Sequence, residues 1–152
     1  MPLRVKFAHT NLVAQDWKRL AEFYERVFGC IPVPPKRKLQ GKWLDDSTGI
    51  SGAQVEGIHL RLPGHGDDGP SLEIFQYNRQ GKQLKPTLNR PGFAHIAFTV
   101  DDVGAARDTV VAAGGAPAGE TVSVKIPGVG TITFIYVRDP EGNIIELQRW
   151  SS

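Results

Sequence analysis

The first half of the chain alternates short apolar stretches with one amphipathic segment, an order that predicts a strand, a helix and three more strands. Residues 5–13 are short, apolar and rich in β-formers, so they predict the first strand. Apolar residues then recur every three or four positions from Asp16 to Phe28, which predicts a helix capped by Asp16 and ended by Gly29. Further strands are predicted over 38–45, 53–62 and 71–77.

The second half repeats this order after a polar linker, residues 78–91. A strand is predicted over 92–100, followed by a helix from Asp101 or Asp102 to Ala113 that Gly114 and Gly115 close. The last strands are predicted near 116–125, 130–137 and 143–150. The chain is therefore expected to be one α+β domain over 1–152, built of two βαβββ modules at about 5–77 and about 92–150.

The two halves also repeat in detail, because the tripeptide Phe-Ala-His occurs at 7–9 and again at 93–95. Each half ends with a carboxylate in an apolar strand, Glu73 or Glu146. The His-to-Glu separations differ, 73 − 9 = 64 residues against 146 − 95 = 51, and loops can absorb that difference. A duplicated module thus offers one His and one Glu in each copy.

Alternation along the strands places these four side chains opposite apolar rows that can pack under the helices. A carboxylate on the inner face of a sheet is costly unless it is paired or bound to a metal. The repeat therefore predicts a site for one divalent ion, with Ni, Co, Zn, Mn or Fe suited to nitrogen and oxygen donors. Its expected ligands are His9, Glu73, His95 and Glu146.

Composition excludes several other classes of protein. A net charge of +2 with scattered basic residues gives no reason to expect nucleic acid, and the cluster Lys36-Arg37-Lys38 is expected in a solvated Pro-rich loop. A single cysteine, Cys30, allows no internal disulfide and fits a reducing compartment. No apolar run has the length of a signal peptide or a membrane span, so the expected location is cytoplasmic, away from membranes.

The segment 139–147, with the sequence DPEGNIIEL, most specifically resembles the vicinal oxygen chelate superfamily, which includes glyoxalase I and methylmalonyl-CoA epimerase. The resemblance covers nearly the whole chain. It implies two paired βαβββ modules forming a curved, partly open mixed sheet around a metal site. Carried over strand by strand, the family's ligands fall on His9, Glu73, His95 and Glu146, the pattern of glyoxalase I.

The resemblance implies an isomerase, lyase or epimerase that removes a proton α to a carbonyl of a metal-chelated substrate through an enediolate. Glu146 is expected to be the base and Glu73 its symmetric counterpart. The implied substrate is a small carbonyl compound or thioester, and the implied assembly is a homodimer. Side chains expected to line the substrate pocket are His59, Arg61, Phe75, Tyr77 and Trp150.

Two other functions remain open at the level of the sequence. A non-haem Fe(II) dioxygenase would use His9, His95 and Glu146 as its facial triad and leave Glu73 without a role. A binding or resistance protein would instead bind a small molecule tightly without turnover.

Overall fold

The computed structural model describes residues 1–152 and divides the chain into two compact units, Met1–Lys82 and Gln83–Ser152. The boundary between them falls inside the predicted linker. Each unit has a βαβββ-like order in an open sheet, so the predicted α+β class with two such modules is confirmed. None of the helices has the length and apolar character needed to cross a bilayer.

The elements of the first unit are β1 (His9–Val13), α1 (Trp17–Phe28), β2 (Ile31–Gln40), α2 (Lys42–Thr48), β3 (Gln54–Arg61) and β4 (Ser71–Tyr77). The four strands form a mixed sheet in the order β1-β4-β3-β2, and α2 is a helix added to the basic module. Strand β1 pairs in parallel with β4, and the other two pairings are antiparallel.

The elements of the second unit are β5 (His95–Thr99), α3 (Val103–Ala112), β6 (Ala116–Pro117), β7 (Val122–Ile126), β8 (Gly130–Arg138) and β9 (Ile144–Ser151). The topology is the same as in the first unit, with the strands in the order β5-β9-β8-β6 and β7 also paired to β8. The parallel pair here is β5 with β9. The short strands β6 and β7 both pair with β8, as β2 pairs with β3, so together they are its interrupted counterpart.

Helix α1 begins and ends where the sequence predicts. The Asp16 carboxylate accepts a hydrogen bond from Arg19 N at 3.1 Å, and Gly29 closes the helix with φ 68°. The helix buries its apolar face against β3 and β4. Because strand side chains alternate, this packing leaves the opposite face of the sheet for the polar side chains of β1, β3 and β4.

The predicted strand over 38–45 is misplaced, since only residues 38–40 lie in a strand, and the Pro-rich segment predicted as a loop before it is also strand. Strand β2 runs over Ile31–Gln40 and includes the prolines, which an edge strand tolerates because its outer N–H groups need no partner. Gly41, at φ 120°, ends the strand, and α2 follows. The Asp45 carboxylate then accepts hydrogen bonds from the backbone of residues 52 and 53, which fixes the chain leaving α2.

The first strand of each unit is shorter than predicted. β1 begins at His9 rather than residue 5, because its partner β4 starts at Ser71, immediately after Pro70. Proline has no N–H to continue a ladder. In the second unit β5 likewise begins at His95, and the predicted strand over 116–125 is interrupted between β6 and β7.

Gly57 in β3 is required by the packing of the strands. A Cβ at this position would lie 2.1 Å from the Ile74 carbonyl oxygen and 2.8 Å from Cδ1 of Phe75. The missing side chain leaves room for the Phe75 ring, whose centroid lies 6.1 Å from that of His59. The absence of a side chain at Gly57 therefore allows the Phe75 ring to pack against the backbone of β3 on the polar face.

Replacing Gly57 by Ala is expected to lower the free energy of unfolding by roughly 1–3 kcal/mol, the usual cost of overpacking. Denaturant unfolding measures the change. Gly81→Ala is the matched control, because a Cβ there meets nothing within 4 Å, and it should be close to neutral. Equal stability of the two variants would contradict the close approach at Gly57.

The thiol of Cys30 is buried, with 3% of the residue exposed, and burial raises its pKa from 9.0 to about 11. We expect no reaction with a thiol reagent in the native protein near pH 8, and one thiol per chain after unfolding. Since the folded pKa is raised, the stability associated with the neutral thiol is present below pH 9 and is lost as the pH rises toward 11. Rapid labelling of the native protein would contradict this burial.

Candidate metal centre

The same strand register places one His beside one Glu in each unit. In the parallel pair β1–β4, His9 lies opposite Ser71, two residues before Glu73. In β5–β9, His95 lies opposite Ile144, two residues before Glu146. The nearest nitrogen–oxygen distances are nearly equal: 3.6 Å from His9 Nε2 to Glu73 Oε1, and 3.5 Å from His95 Nε2 to Glu146 Oε2.

In the first unit a third donor, His59 on β3, joins this pair. His59 lies directly opposite Glu73 in the antiparallel β3–β4 ladder, with its Nε2 2.7 Å from Glu73 Oε2. Its ring meets that of His9 edge to face, with centroids 5.6 Å apart. One potential ligand atom from each of His9, His59 and Glu73 lies within 4.8 Å of the other two.

This donor set fits a divalent transition-metal ion. Ligand atoms about 2.1 Å from one ion lie roughly 3–4 Å apart, so the three side chains need only a small contraction to bind it. Two imidazoles and one carboxylate suit Zn, Ni, Co, Mn or Fe, and three ligands leave coordination positions open. His9, His59 and Glu73 are therefore a candidate metal site within the first unit.

Glu73 is buried and is held by its neighbours. Its Oε1 accepts a hydrogen bond of 2.8 Å from Asn11 Nδ2, and His59 approaches its other oxygen. Asn11 lies opposite Glu73 in the β1–β4 register, so the sheet itself positions this amide. Hydrogen bonds of this kind orient a metal-binding carboxylate.

The environment of His59 favours its neutral imidazole. Burial lowers the pKa of His59, and the positive charge of Arg37 and the nearby His9 add to this effect. The carboxylate of Glu73 acts in the opposite direction. Nδ1 of His59 lies 3.4 Å from the Ser71 hydroxyl. A neutral imidazole is the form that binds metals.

The second unit has a tyrosine at the position of His59. Tyr136 lies opposite Glu146 in the β8–β9 ladder, as His59 lies opposite Glu73. Its ring meets that of His95 edge to face, with centroids 5.1 Å apart. Burial, followed by the negative charge of Glu146, raises the pKa of Tyr136 above its usual value, so the phenol is a hydrogen-bond donor at neutral pH.

The turn before β9 places Glu146 in this register. Asp139 is 3% exposed, and its Oδ1 accepts hydrogen bonds from the backbone N–H groups of Glu141 and Asn143, at 2.9 and 3.0 Å. Its Oδ2 accepts one from the Asn143 side chain at 2.8 Å. The motif over 139–147 therefore has a structural basis: a buried Asp holds the turn from which the Glu146 strand starts.

The other predicted pocket residues share the strand faces of His59, Glu73 and Glu146, because they lie an even number of residues from them along the same strands. Arg61 Nη1 lies 3.3 Å from the Asp67 carboxylate. Phe75 and Tyr77 pack against the small cluster of Leu44, Ala53 and Val55. Trp150, in the second unit, lies opposite Ile132 near the end of β9.

Sequence reasoning gave no role to Asn11 or Tyr136. Cross-strand pairing reveals both, since each lies directly opposite a glutamate. Comparing β3 with β8 could have identified Tyr136. The correspondence between His59 and Tyr136 is not visible in the sequence, because their separations from the glutamate differ: 73 − 59 = 14 residues against 146 − 136 = 10.

Two curated relatives, each named probable lactoylglutathione lyase, align with most of the chain. The protein from Vibrio parahaemolyticus is 46% identical over 142 residues, and the one from Vibrio cholerae is 30% identical over 142 residues. Each alignment covers 93% of this chain and 88% of the relative.

A solved structure has the same fold over nearly its full length. The glyoxalase family protein from Bacillus cereus matches with a TM-score of 0.82 at 18% identity, covering 99% of this chain and 97% of that one. The family model for the Glyoxalase/Bleomycin resistance protein/Dioxygenase superfamily matches residues 6–147. The resemblance found in the sequence is thereby confirmed, and the chain belongs to this superfamily.

Proposed function

We propose that the protein is a divalent-metal-dependent lyase or isomerase of the glyoxalase type. One observation carries the proposal: both units hold a His and a Glu at the same register offset, with the shortest nitrogen–oxygen distances at 3.6 and 3.5 Å. Each half therefore has an imidazole nitrogen and a carboxylate oxygen close together, the kind of donor atoms that bind a catalytic metal ion. A protein that only sequestered small molecules would have no need of them.

The names of the relatives support a substrate class. Both are named as lyases of lactoylglutathione, a thioester of a 2-hydroxy acid. We therefore propose that this protein interconverts a thiol adduct of a small dicarbonyl compound and the corresponding 2-hydroxy thioester. The conversion moves a proton from the hydroxyl-bearing carbon to its neighbour, with no net oxidation.

His9, Glu73, His95 and Glu146 remain the proposed ligands, with His59 as a further donor in the first unit. When bound, a divalent ion would act as a Lewis acid that stabilises negative charge on the substrate oxygens. The chain's own residues must then bind the substrate, orient it and move the proton.

Glu146 is the better candidate for the base. Glu73 is fixed by Asn11 on one oxygen and by His59 on the other. At the position of Asn11 the second unit has Ala97, which offers Glu146 no side-chain hydrogen bond. A carboxylate with fewer fixed partners can move toward a substrate carbon, take a proton there and return it to the neighbouring carbon.

A homodimer and a cytoplasmic location are part of the proposal. Both follow from the family resemblance and from the sequence features described above.

A second candidate function, a non-haem Fe(II) dioxygenase, is favoured by one specific observation. His9, His59 and Glu73 together are two histidines and one carboxylate, the donor set of that class. This triad differs from the one expected from sequence, which took its second His and its Glu from the other half.

Replacing Glu146 by Gln removes the basic carboxylate and keeps the side-chain shape. We expect turnover of lactoylglutathione by the metal-loaded protein to fall by at least ~10²-fold, as when an acid–base group is lost. Ultraviolet absorbance of the thioester measures the rate. The other proposed ligands, His9, Glu73 and His95, would still hold the ion, so mass spectrometry should show the metal content retained. Glu120→Gln, at an exposed loop position, is the control and should leave the rate unchanged.

Near-wild-type turnover by Glu146→Gln would show that another group is the base. If wild-type protein loaded with Ni, Co, Zn, Mn or Fe(II) has no activity on this thioester or on related 2-hydroxy thioesters, the proposed reaction is wrong.

The dioxygenase candidate predicts oxygen uptake by the Fe(II)-loaded protein in the presence of a catechol. An oxygen electrode measures this directly, with the Zn-loaded protein as the control because Zn has no redox chemistry. Under the leading proposal we expect no catechol-dependent uptake. Uptake that is lost in His59→Ala would favour the dioxygenase.

A further inference from the structure

Each unit has an arginine in the same cross-strand row as its first histidine. The two rows, followed across the ladders from the first strand of each unit, are His9–Ser71–Arg61 and His95–Ile144–Arg138. Residues that lie opposite each other in a sheet project from the same face. Both arginines therefore project from the face that carries the histidine and glutamate side chains of their own unit.

The arginine of the second unit is committed to the backbone. Nη1 of Arg138 donates hydrogen bonds to the carbonyl oxygens of Pro86 and Gly142, each at 2.9 Å. Pro86 precedes β5 in the chain, and Gly142 lies in the turn before β9. Arg138 thus holds two chain segments in place, which is a structural role.

The arginine of the first unit is paired with an exposed side chain instead. Nη1 of Arg61 lies 3.3 Å from Oδ1 of Asp67, in the turn between β3 and β4. The Asp67 side chain is 94% exposed and that of Arg61 is 29% exposed. Water competes for a carboxylate this exposed, so the ion pair contributes little to stability. A carboxylate of a bound molecule can therefore replace Asp67 at little cost.

We infer that Arg61 is a specificity-determining residue that binds a carboxylate on the thiol portion of the substrate, with Asp67 as the partner that it gives up. The inference rests on the proposed function and adds the residue that recognises the substrate's charge. Lactoylglutathione, the compound in the names of both relatives, fits this role. Its carboxylates belong to the glutathione portion, away from the reacting carbons.

The position of Arg61 suits contact with a group outside the reacting centre. Arg61 lies two residues along β3 from His59, which separates their Cα atoms by roughly 7 Å. The guanidinium is therefore beside the proposed metal ligands and not among them. Its planar N–H groups can donate two parallel hydrogen bonds to one carboxylate, a geometry that a single ammonium group does not offer.

The first test measures binding without turnover in the full-length protein. S-Methylglutathione, whose thiol is blocked, is titrated by calorimetry, and so is its dimethyl ester, in which both carboxylates are masked. Wild type is expected to bind the acid roughly tenfold or more tightly than the ester, as for a charge-assisted hydrogen bond. Arg61→Gln should lose this preference and bind the ester as wild type does.

The matched control is Arg107→Gln, which removes an arginine that pairs with Asp108 on α3. It should retain the preference for the acid. Circular dichroism checks that each variant is folded.

Asp67→Asn tests the exchange of partners. Loss of the competing carboxylate should raise the affinity for S-methylglutathione by roughly two- to fivefold, the value of an exposed ion pair, and leave the affinity for the ester unchanged. Asp68→Asn is the control, because it removes the same charge from the next residue of the turn and leaves the pair of Arg61 with Asp67 in place. It should change neither affinity.

Three results would overturn the inference. Wild type might bind the acid and the ester equally, or bind neither. Folded Arg61→Gln might keep the wild-type preference for the acid. Arg61→Gln might also weaken binding of both compounds to the same extent, which would give Arg61 a structural role only.

Kinetics separate this inference from the proposed reaction. With lactoylglutathione as substrate, Arg61→Gln should raise KM roughly tenfold and leave kcat nearly unchanged, because the contact is equally strong in the ground state and the transition state. Binding of the acid that depends on Arg61, in a protein without lyase activity, would contradict the proposed function alone. Lyase activity with an unchanged KM in Arg61→Gln would contradict the inference alone.

Discussion

The candidate site depends on the parallel pairing of the first and last strands in each unit. In each pair the histidine lies two residues before the residue that faces the glutamate across the ladder. The imidazole and the carboxylate therefore project from the same face of the sheet. A shift of one residue would turn one partner toward the helix and the other toward the polar face. The buried rows beneath α1 and α3 prevent this shift, because Leu72 and Ile145 could not move to the polar face without losing their burial. The hydrophobic core therefore fixes the spacing between the histidine and the glutamate of each candidate pair.

Burial of Glu73 is the main electrostatic constraint within the first unit. An ionised carboxylate with little exposure is destabilising unless donors or cations compensate for its lost hydration. Asn11 and His59 provide that compensation, and the sheet register supplies both. In the second unit, by contrast, Ala97 and Tyr136 face Glu146, which leaves this carboxylate with fewer fixed partners. Equal positions in a duplicated fold have thus acquired different environments, with a carboxylate fixed by two partners in the first unit and a less constrained carboxylate in the second.

Spacing and alternation were enough to predict the modules, the capped helix α1 and the strands that carry the four His and Glu residues. They failed over residues 31–48, where prolines suggested a loop although an edge strand tolerates them, and where Gly41 separates a strand from a short helix. They also gave no role to Asn11 or Tyr136, since both depend on which residue lies opposite across the ladder. Register is a property of pairing between distant segments, and one strand read alone contains no information about it.

The third strand of each module is where the halves could diverge at the lowest structural cost. The first and last strands are constrained by the His–Glu register, and the helices by the core beneath them. Positions 59 and 136 lie on the polar face, opposite the carboxylates and away from the helix, so a change there leaves the buried rows undisturbed. Exchange of an imidazole for a phenol keeps an aromatic ring against the neighbouring histidine and alters only the donor. A symmetric fold can thereby acquire chemically unequal halves while its core and register remain the same.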